Sequence, residues 1–321
     1  MVSQRFLPLR NQLKVDINER IIILRYYKRW KGGVFMGESN SVLTRFFSQS
    51  MLQDCLSQET PSIELMQRIV RKYHISIDAE TTNEKVISDI YHYVGKSYRN
   101  EYFYKNTLLN KLIINVHRVN TTTALTEVPI AKSKADFIMI NGKAVVYEIK
   151  TELDSFDRLE NQIADYYKAF DHVCVVTSEN QLASLQEKLG ESPVGIYILT
   201  KHNKIRRVRE PQEYRGALDA SYIFKILNKP EYETIVKKVN GSLPVATPVK
   251  HYQACKQILC NLPIEKFYAL FLKELKKRNK ITVTDYNTIP NAIRFLFYFS
   301  KCKPDDANKL HEFLSAQFKE G

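Results

Sequence analysis

Glycine and proline are scarce, at 10 and 11 residues in a chain of 321. With no repeat of fixed period, this excludes a solenoid or a low-complexity array. The five cysteines (Cys55, Cys174, Cys255, Cys260 and Cys302) form no CxxC pair. They indicate neither a disulfide framework nor a zinc ribbon, and read as reduced thiols in a packed interior. His251-x3-Cys255-x4-Cys260 lies at roughly helical spacing, yet a fourth ligand at usual zinc spacing is missing. No GxxxxGK[ST] phosphate loop and no GxSxG occur, and none of the seven histidines stands in a nucleophile-and-base pattern. Nucleotide hydrolysis and Ser/His/Asp hydrolysis are therefore unsupported. Long apolar runs are lacking as well: Ile21-Ile22-Ile23-Leu24 passes directly into Arg25-Tyr26-Tyr27-Lys28-Arg29-Trp30, far too short a stretch to span a bilayer. The first residues carry no signal-peptide pattern. The expectation is a cytoplasmic protein with no membrane partner.

Hydrophobic residues make up 44% of the chain, enough to build a real core. Lysine and arginine number 48 against 35 acidic residues, a net charge of +13. Such an excess favours a polyanionic partner through counterion release, without choosing between nucleic acid and an anionic surface.

The chain reads as three parts: a helical accessory region over residues 1–99, an α/β core over 100–210, and a helical region over 211–321. In the first, apolar residues recur at three- and four-residue intervals, as in Val42-Leu43-Phe46-Phe47 and Ile63-Met66-Ile69-Val70. In the core, a helix over 101–116 precedes β-type runs at 126–130, 136–140, 144–150, 172–177 and 195–199. Asn141-Gly142 between the second and third runs predicts a two-residue type I′ turn and hence antiparallel neighbours. Asp154 is the expected N-cap of a helix reaching about Phe170. Beyond Pro211 the pattern is helical again, with a linker expected over 241–248.

The chemistry concentrates on that hairpin. Asp136 opens one strand, and Glu148-Ile149-Lys150 closes the next. Alternation puts Glu148 and Lys150 on one face, and pairing about the turn brings Asp136 towards Glu148. Two carboxylates held together call for a compensating cation, and Mg2+ or Mn2+ prefers carboxylate oxygens while leaving room for a phosphate oxygen. Lys150 could then orient the attacking water or stabilise charge on the phosphate. A lone Glu-x-Lys also arises as a surface ion pair at a strand end.

These residues resemble the PD-(D/E)xK nuclease superfamily, particularly its RecB-like members. The Asp of that pattern falls on Asp136 and its Glu-x-Lys on Glu148 and Lys150, with Ala135 in place of the naming proline. Gln162-Ile163-Ala164-Asp165-Tyr166 supplies the Gln-x-x-x-Tyr of RecB-like members. The segment from Arg99 to Arg209 is also similar to a bacterial family of small, little-characterised nuclease-like proteins, whose Asp, Arg and Gln after the Glu-Ile-Lys fall on Asp154, Arg158 and Gln162.

The resemblance implies a restriction-endonuclease-like mixed sheet flanked by helices. It further implies a metal-dependent nuclease with Asp136, Glu148, Lys150 and Gln162 as catalytic residues. The metal would be held by Asp136, Glu148, the Ile149 backbone carbonyl and a further carboxylate upstream. Glu127 is favoured for that last position, because an acid within an apolar strand needs a partner; Glu101, on the preceding helix, is the alternative. Arg158 and Tyr166 lie on the Gln162 face at helical spacing, and an ordinary amphipathic helix edge would show the same row.

The basic segments 25–31 and 201–209, with Lys204, Arg206 and Arg207 in the second, are candidate phosphate contacts; each also reads as a solvated helix or hairpin. DNA is the expected substrate, in phage defence or mobile-element biology. A homodimer would supply two sites for two strands, and the helical flanks could bind a regulating partner. The reading outside catalysis is a nucleic-acid-binding module that keeps the nuclease fold without cutting.

Overall fold

A computed structural model of the chain describes residues 40–57, 60–115, 121–278, 288–300, 303 and 305–319. The basic segment at 25–31 and Cys302 lie outside the described residues. From Val42 onward the chain forms one compact unit.

Helices α1 (Ser41–Phe46), α2 (Gln49–Leu56), α3 (Thr60–Tyr73), α4 (Asn83–Ser97) and α5 (Glu101–Asn115) precede the first strand. In α4, Thr82 caps the N-terminus by accepting from the Lys85 N–H, and Val86, Ile87, Ile90 and Val94 form its buried stripe. The strands are β1 (Thr123–Ile130), β2 (Ser133–Asn141), β3 (Lys143–Ile149), β4 (His172–Ser178), β5 (Gly195–Leu199) and β6 (Ile205–Arg209). Helix α6 (Leu159–Tyr167) joins β3 to β4, and α7 (Leu182–Leu189) joins β4 to β5. After β6 come α8 (Ala220–Ile226), α9 (Lys229–Asn240), α10 (Pro248–Cys260), α11 (Ile264–Leu275), α12 (Arg294–Phe299) and α13 (Asp306–Ser315). No helix among the described residues is long and apolar enough to cross a membrane.

The strands make one mixed sheet in the order β1-β2-β3-β4-β5-β6. β1, β2 and β3 are antiparallel neighbours, β3, β4 and β5 run parallel, and β6 returns antiparallel to β5. The pleat sends alternate residues to two separate cores. Tyr147, Ile149, Cys174 and Val176 join the core built with α1 to α5, α12 and α13, whereas Val146, Val173 and Val175 join the one built with α6 to α11. Burial on both faces explains the unbroken apolar run of β4.

Three expectations are corrected. The β2–β3 turn is tighter than type I′: Asn141 pairs with Lys143 and only Gly142 takes a positive φ, +74°. Asp154 does not cap α6; its Oδ2 accepts from the Thr151 N–H and hydroxyl at 2.9 and 2.8 Å, closing a local turn, and the helix starts at Leu159 with Arg158 as N-cap. The segment at 201–209 contains a sixth strand, whose basic side chains are tolerated because it lies at the sheet edge.

Candidate active site

Three carboxylates sit on three adjacent strands because of register. The pairs Thr126↔Phe137 and Val128↔Ala135 leave Glu127 facing Asp136 across β1 and β2. One step beyond Phe137↔Tyr147, the β2–β3 ladder leads to Asp136 and Glu148. Asp136 is fixed by its Oδ2, which accepts the Ile149 N–H at 2.8 Å.

Glu148 is almost fully buried, at 2% exposure, and both its oxygens are occupied. Oε1 accepts from Gln162 Nε2 at 2.5 Å and lies 2.8 Å from Lys150 Nζ, while Oε2 accepts the Tyr166 hydroxyl at 2.5 Å. Lys150 Nζ in turn donates to Gln162 Oε1 at 2.8 Å. The Gln162 amide thus clamps the buried carboxylate and the buried ammonium together, which their desolvation requires. Four-residue spacing on α6 puts Gln162 and Tyr166 on the same side, over the end of β3. Tyr166 is corrected as a nucleic-acid contact: its ring is fully buried. Burial and the Glu148 charge push its phenol well above the ordinary tyrosine range.

Both candidate upstream acids reach Asp136. Carboxylate oxygens of Glu101, Glu127 and Asp136 all lie within 4.8 Å of one another. Glu101 comes from the first turn of α5, which packs in the opposite core, and Glu127 is presented by a left-handed backbone at φ +56°. That conformation costs an L-residue about 1–2 kcal/mol. Lys105 and Lys134 both pair with the Glu127 carboxylate. Burial would push Glu127 up, but these hydrogen bonds outweigh it and hold the acid below its ordinary range. Lys105 also sits 2.7 Å from Glu101 Oε1. Reading the sequence missed Lys105; the available signal was the Glu101-x3-Lys105 spacing, which a helix turns into neighbours. Glu148 stands outside the three-carboxylate group, and its Oε2 keeps one acceptor direction beside Tyr166.

The donor set suits a hard divalent cation. Around Mg2+ at about 2.1 Å, adjacent ligand oxygens stand about 3.0 Å apart and opposite ones about 4.2 Å, so the three oxygens, within 4.8 Å of one another, would close on an ion by side-chain adjustment. Without such an ion, Asp136 is pushed up to about 8 by burial first, then by the charges of Glu148 and Glu101, with Lys105 and the Ile149 N–H opposing. A carboxyl raised in the folded state gives stability that is fully present below its unfolded pKa and is lost as pH rises through its folded value. The metal-free protein is therefore expected to lose stability between about pH 4 and pH 8, the folded pKa of Asp136. Asp136→Asn should remove this component. Urea unfolding in EDTA at several pH values checks it, and parallel pH dependence in the two proteins would contradict it.

The expected basic contacts lie apart from this network. Arg158 is exposed at the start of α6, and Lys204, Arg206 and Arg207 are exposed on the β5–β6 hairpin. That hairpin is tied to the loop after β3 by Arg99, which donates to the Thr200 carbonyl at 2.8 Å and pairs with Glu152. The turn at 201–204 therefore stands at the end of the sheet that carries Lys150. Arg207 lies 3.3 Å from Glu210 and over the Tyr197 ring.

A relative, "Protein cII" of Enterobacteria phage P4, is 22% identical over 173 residues, which is 52% of this chain and 64% of that protein. The chain thus matches less than two thirds of that relative's length. No solved structure matches. The family model described as Bacteriophage P4 protein cII matches residues 95–294, a span that contains Glu101, Lys105, Glu127, Asp136, Glu148, Lys150, Gln162, Tyr166 and the β5–β6 hairpin. With well over half of its residues matched, the chain belongs to the bacteriophage P4 protein cII family.

Proposed function

We propose that this chain is a metal-dependent nuclease of restriction-endonuclease-like fold, which hydrolyses phosphodiester bonds in DNA at the Asp136–Glu148–Lys150 site. The observation that carries the proposal is the joining of two halves: a strand-borne Glu148–Lys150 pair clamped by Gln162, beside a rim of carboxylates from Glu101, Glu127 and Asp136. An ordinary surface ion pair would not be buried to this degree or held by a dedicated amide. A Mg2+ or Mn2+ ion on Asp136 and the rim carboxylates, with Glu148 and the Ile149 carbonyl nearby, would supply Lewis-acid stabilisation of a phosphate oxygen.

The chain's own residues supply the rest. Gln162 fixes the Lys150 ammonium in one orientation, suited to hold the attacking water or the developing charge on phosphate. Tyr166 fixes Glu148 from the other side. The helix-to-strand order around the site agrees with the PD-(D/E)xK resemblance, and a relative from a phage agrees with mobile-element biology. Cutting both strands at once needs two sites, which a homodimer would provide; the helical flanks are where a protein partner would bind.

DNA reaches this end of the sheet past the β5–β6 hairpin. Replacing Lys204 and Arg206 by glutamine is expected to weaken DNA binding and to make its log K against log salt slope shallower by about 0.9 for each phosphate that is no longer neutralised. Filter binding across a salt series measures this; an unchanged slope would remove the hairpin from the interface. The whole reading is tested by incubating plasmid, linear and single-stranded DNA and RNA with the protein in Mg2+, Mn2+ or EDTA. Metal-dependent cutting identifies the substrate, whereas binding without cutting under every condition would favour a module that keeps the fold alone.

A further inference from the structure

We infer that Lys105 is a built-in counter-ion of the carboxylate rim: its ammonium holds the rim in the metal-free chain and competes with the divalent cation for it. The inference rests on the metal reading above and specifies how that site is regulated.

Lysine is almost never buried unless paired, and the Lys105 side chain is only 8% exposed. Its Nζ lies 2.7 Å from Glu101 Oε1 and pairs with Glu127. One ammonium with three donors therefore pairs with Glu101 and Glu127, two of the three acids that could hold a metal. Helix geometry makes this arrangement firm, because Glu101 and Lys105 are one turn apart on α5 while the two strand acids come from the sheet. A dication entering among these oxygens meets a positive charge already there, so the ammonium must turn away. The site then fills only above a threshold metal concentration, or when a phosphate backbone arrives to receive the displaced ammonium. Lys150 is placed differently, since Gln162 and Glu148 hold it apart from the rim.

The test is Mn2+ binding to the full chain, read from loss of the free-ion electron paramagnetic resonance signal at fixed pH without nucleic acid. Lys105→Met is expected to bind Mn2+ at least about tenfold more tightly than the wild type, and to gain more thermal stability from the ion. Equal or weaker binding by the variant, with binding by the wild type, would overturn the counter-ion role and leave the metal reading standing. Binding by neither protein would overturn the metal reading and this inference together. A readout that needs no variant is the acylation of Lys105 by a soluble amine reagent, followed by mass spectrometry. Its modification should rise several-fold when Mn2+ binds the wild type, and unchanged reactivity at saturating Mn2+ would overturn the role.

Discussion

Asp136→Ala is expected to reduce metal-dependent DNA cleavage by at least about 10³-fold, which corresponds to about 4 kcal/mol of transition-state stabilisation. Asp136 is the one carboxylate that belongs to both halves of the site. It lies within ligand distance of Glu101 and Glu127, and its Oδ2 is anchored on the Ile149 N–H between Glu148 and Lys150. Removing it would take away the proposed central metal ligand while leaving Lys204, Arg206 and Arg207 on their hairpin. DNA affinity measured in EDTA should therefore change little. Single-turnover cleavage of a labelled duplex separates the two effects. A variant that retained more than a tenth of the wild-type rate would place the chemistry elsewhere.

Glu148→Ala is expected to destabilise the metal-free fold by about 3–5 kcal/mol, the usual consequence of breaking a buried ion pair from one side. It would leave the Lys150 ammonium, 9% exposed, without its carboxylate and would deprive the Gln162 amide N–H of its acceptor, while Tyr166 keeps only the Lys134 carbonyl. The reverse change, Lys150→Met, leaves Glu148 with two donors still in place, so a smaller loss of about 1–3 kcal/mol is expected. Urea unfolding of both variants gives the order directly. If Lys150→Met were the more damaging, Glu148 would not be the hub of the network.

What was legible in the sequence was local. Alternation in β3 placed Glu148 and Lys150 on one face, the Asn-Gly dipeptide marked the hairpin that delivers Asp136, and four-residue spacing aligned Gln162 with Tyr166. The first and last follow from backbone period and the second from the positive φ that glycine accepts in a turn. What was illegible depends on packing between distant segments. Whether Glu101 or Glu127 approaches Asp136 depends on how α5 crosses the end of the sheet, and the answer is that both do. Lys105 follows from the same crossing. The burial of Tyr166 required knowing that α6 packs on β2 and β4, where the Tyr166 hydroxyl meets Glu148 and the Lys134 carbonyl. Strand β6 was hidden because Arg206, Arg207 and Arg209 give it the composition of a solvated loop, which an edge position permits. Likewise, nothing in the periodicity of α12 or α13 says that they join the core of the first helices rather than that of their neighbours α8 to α11.

The most direct measurement is cleavage of supercoiled plasmid by the wild-type chain and by Asp136→Ala, purified identically, in Mn2+ and in EDTA. A metal-dependent nuclease centred on Asp136 converts plasmid in Mn2+ alone, and only with the wild type. Equal conversion by both proteins, or none by the wild type while it binds the DNA, would contradict it.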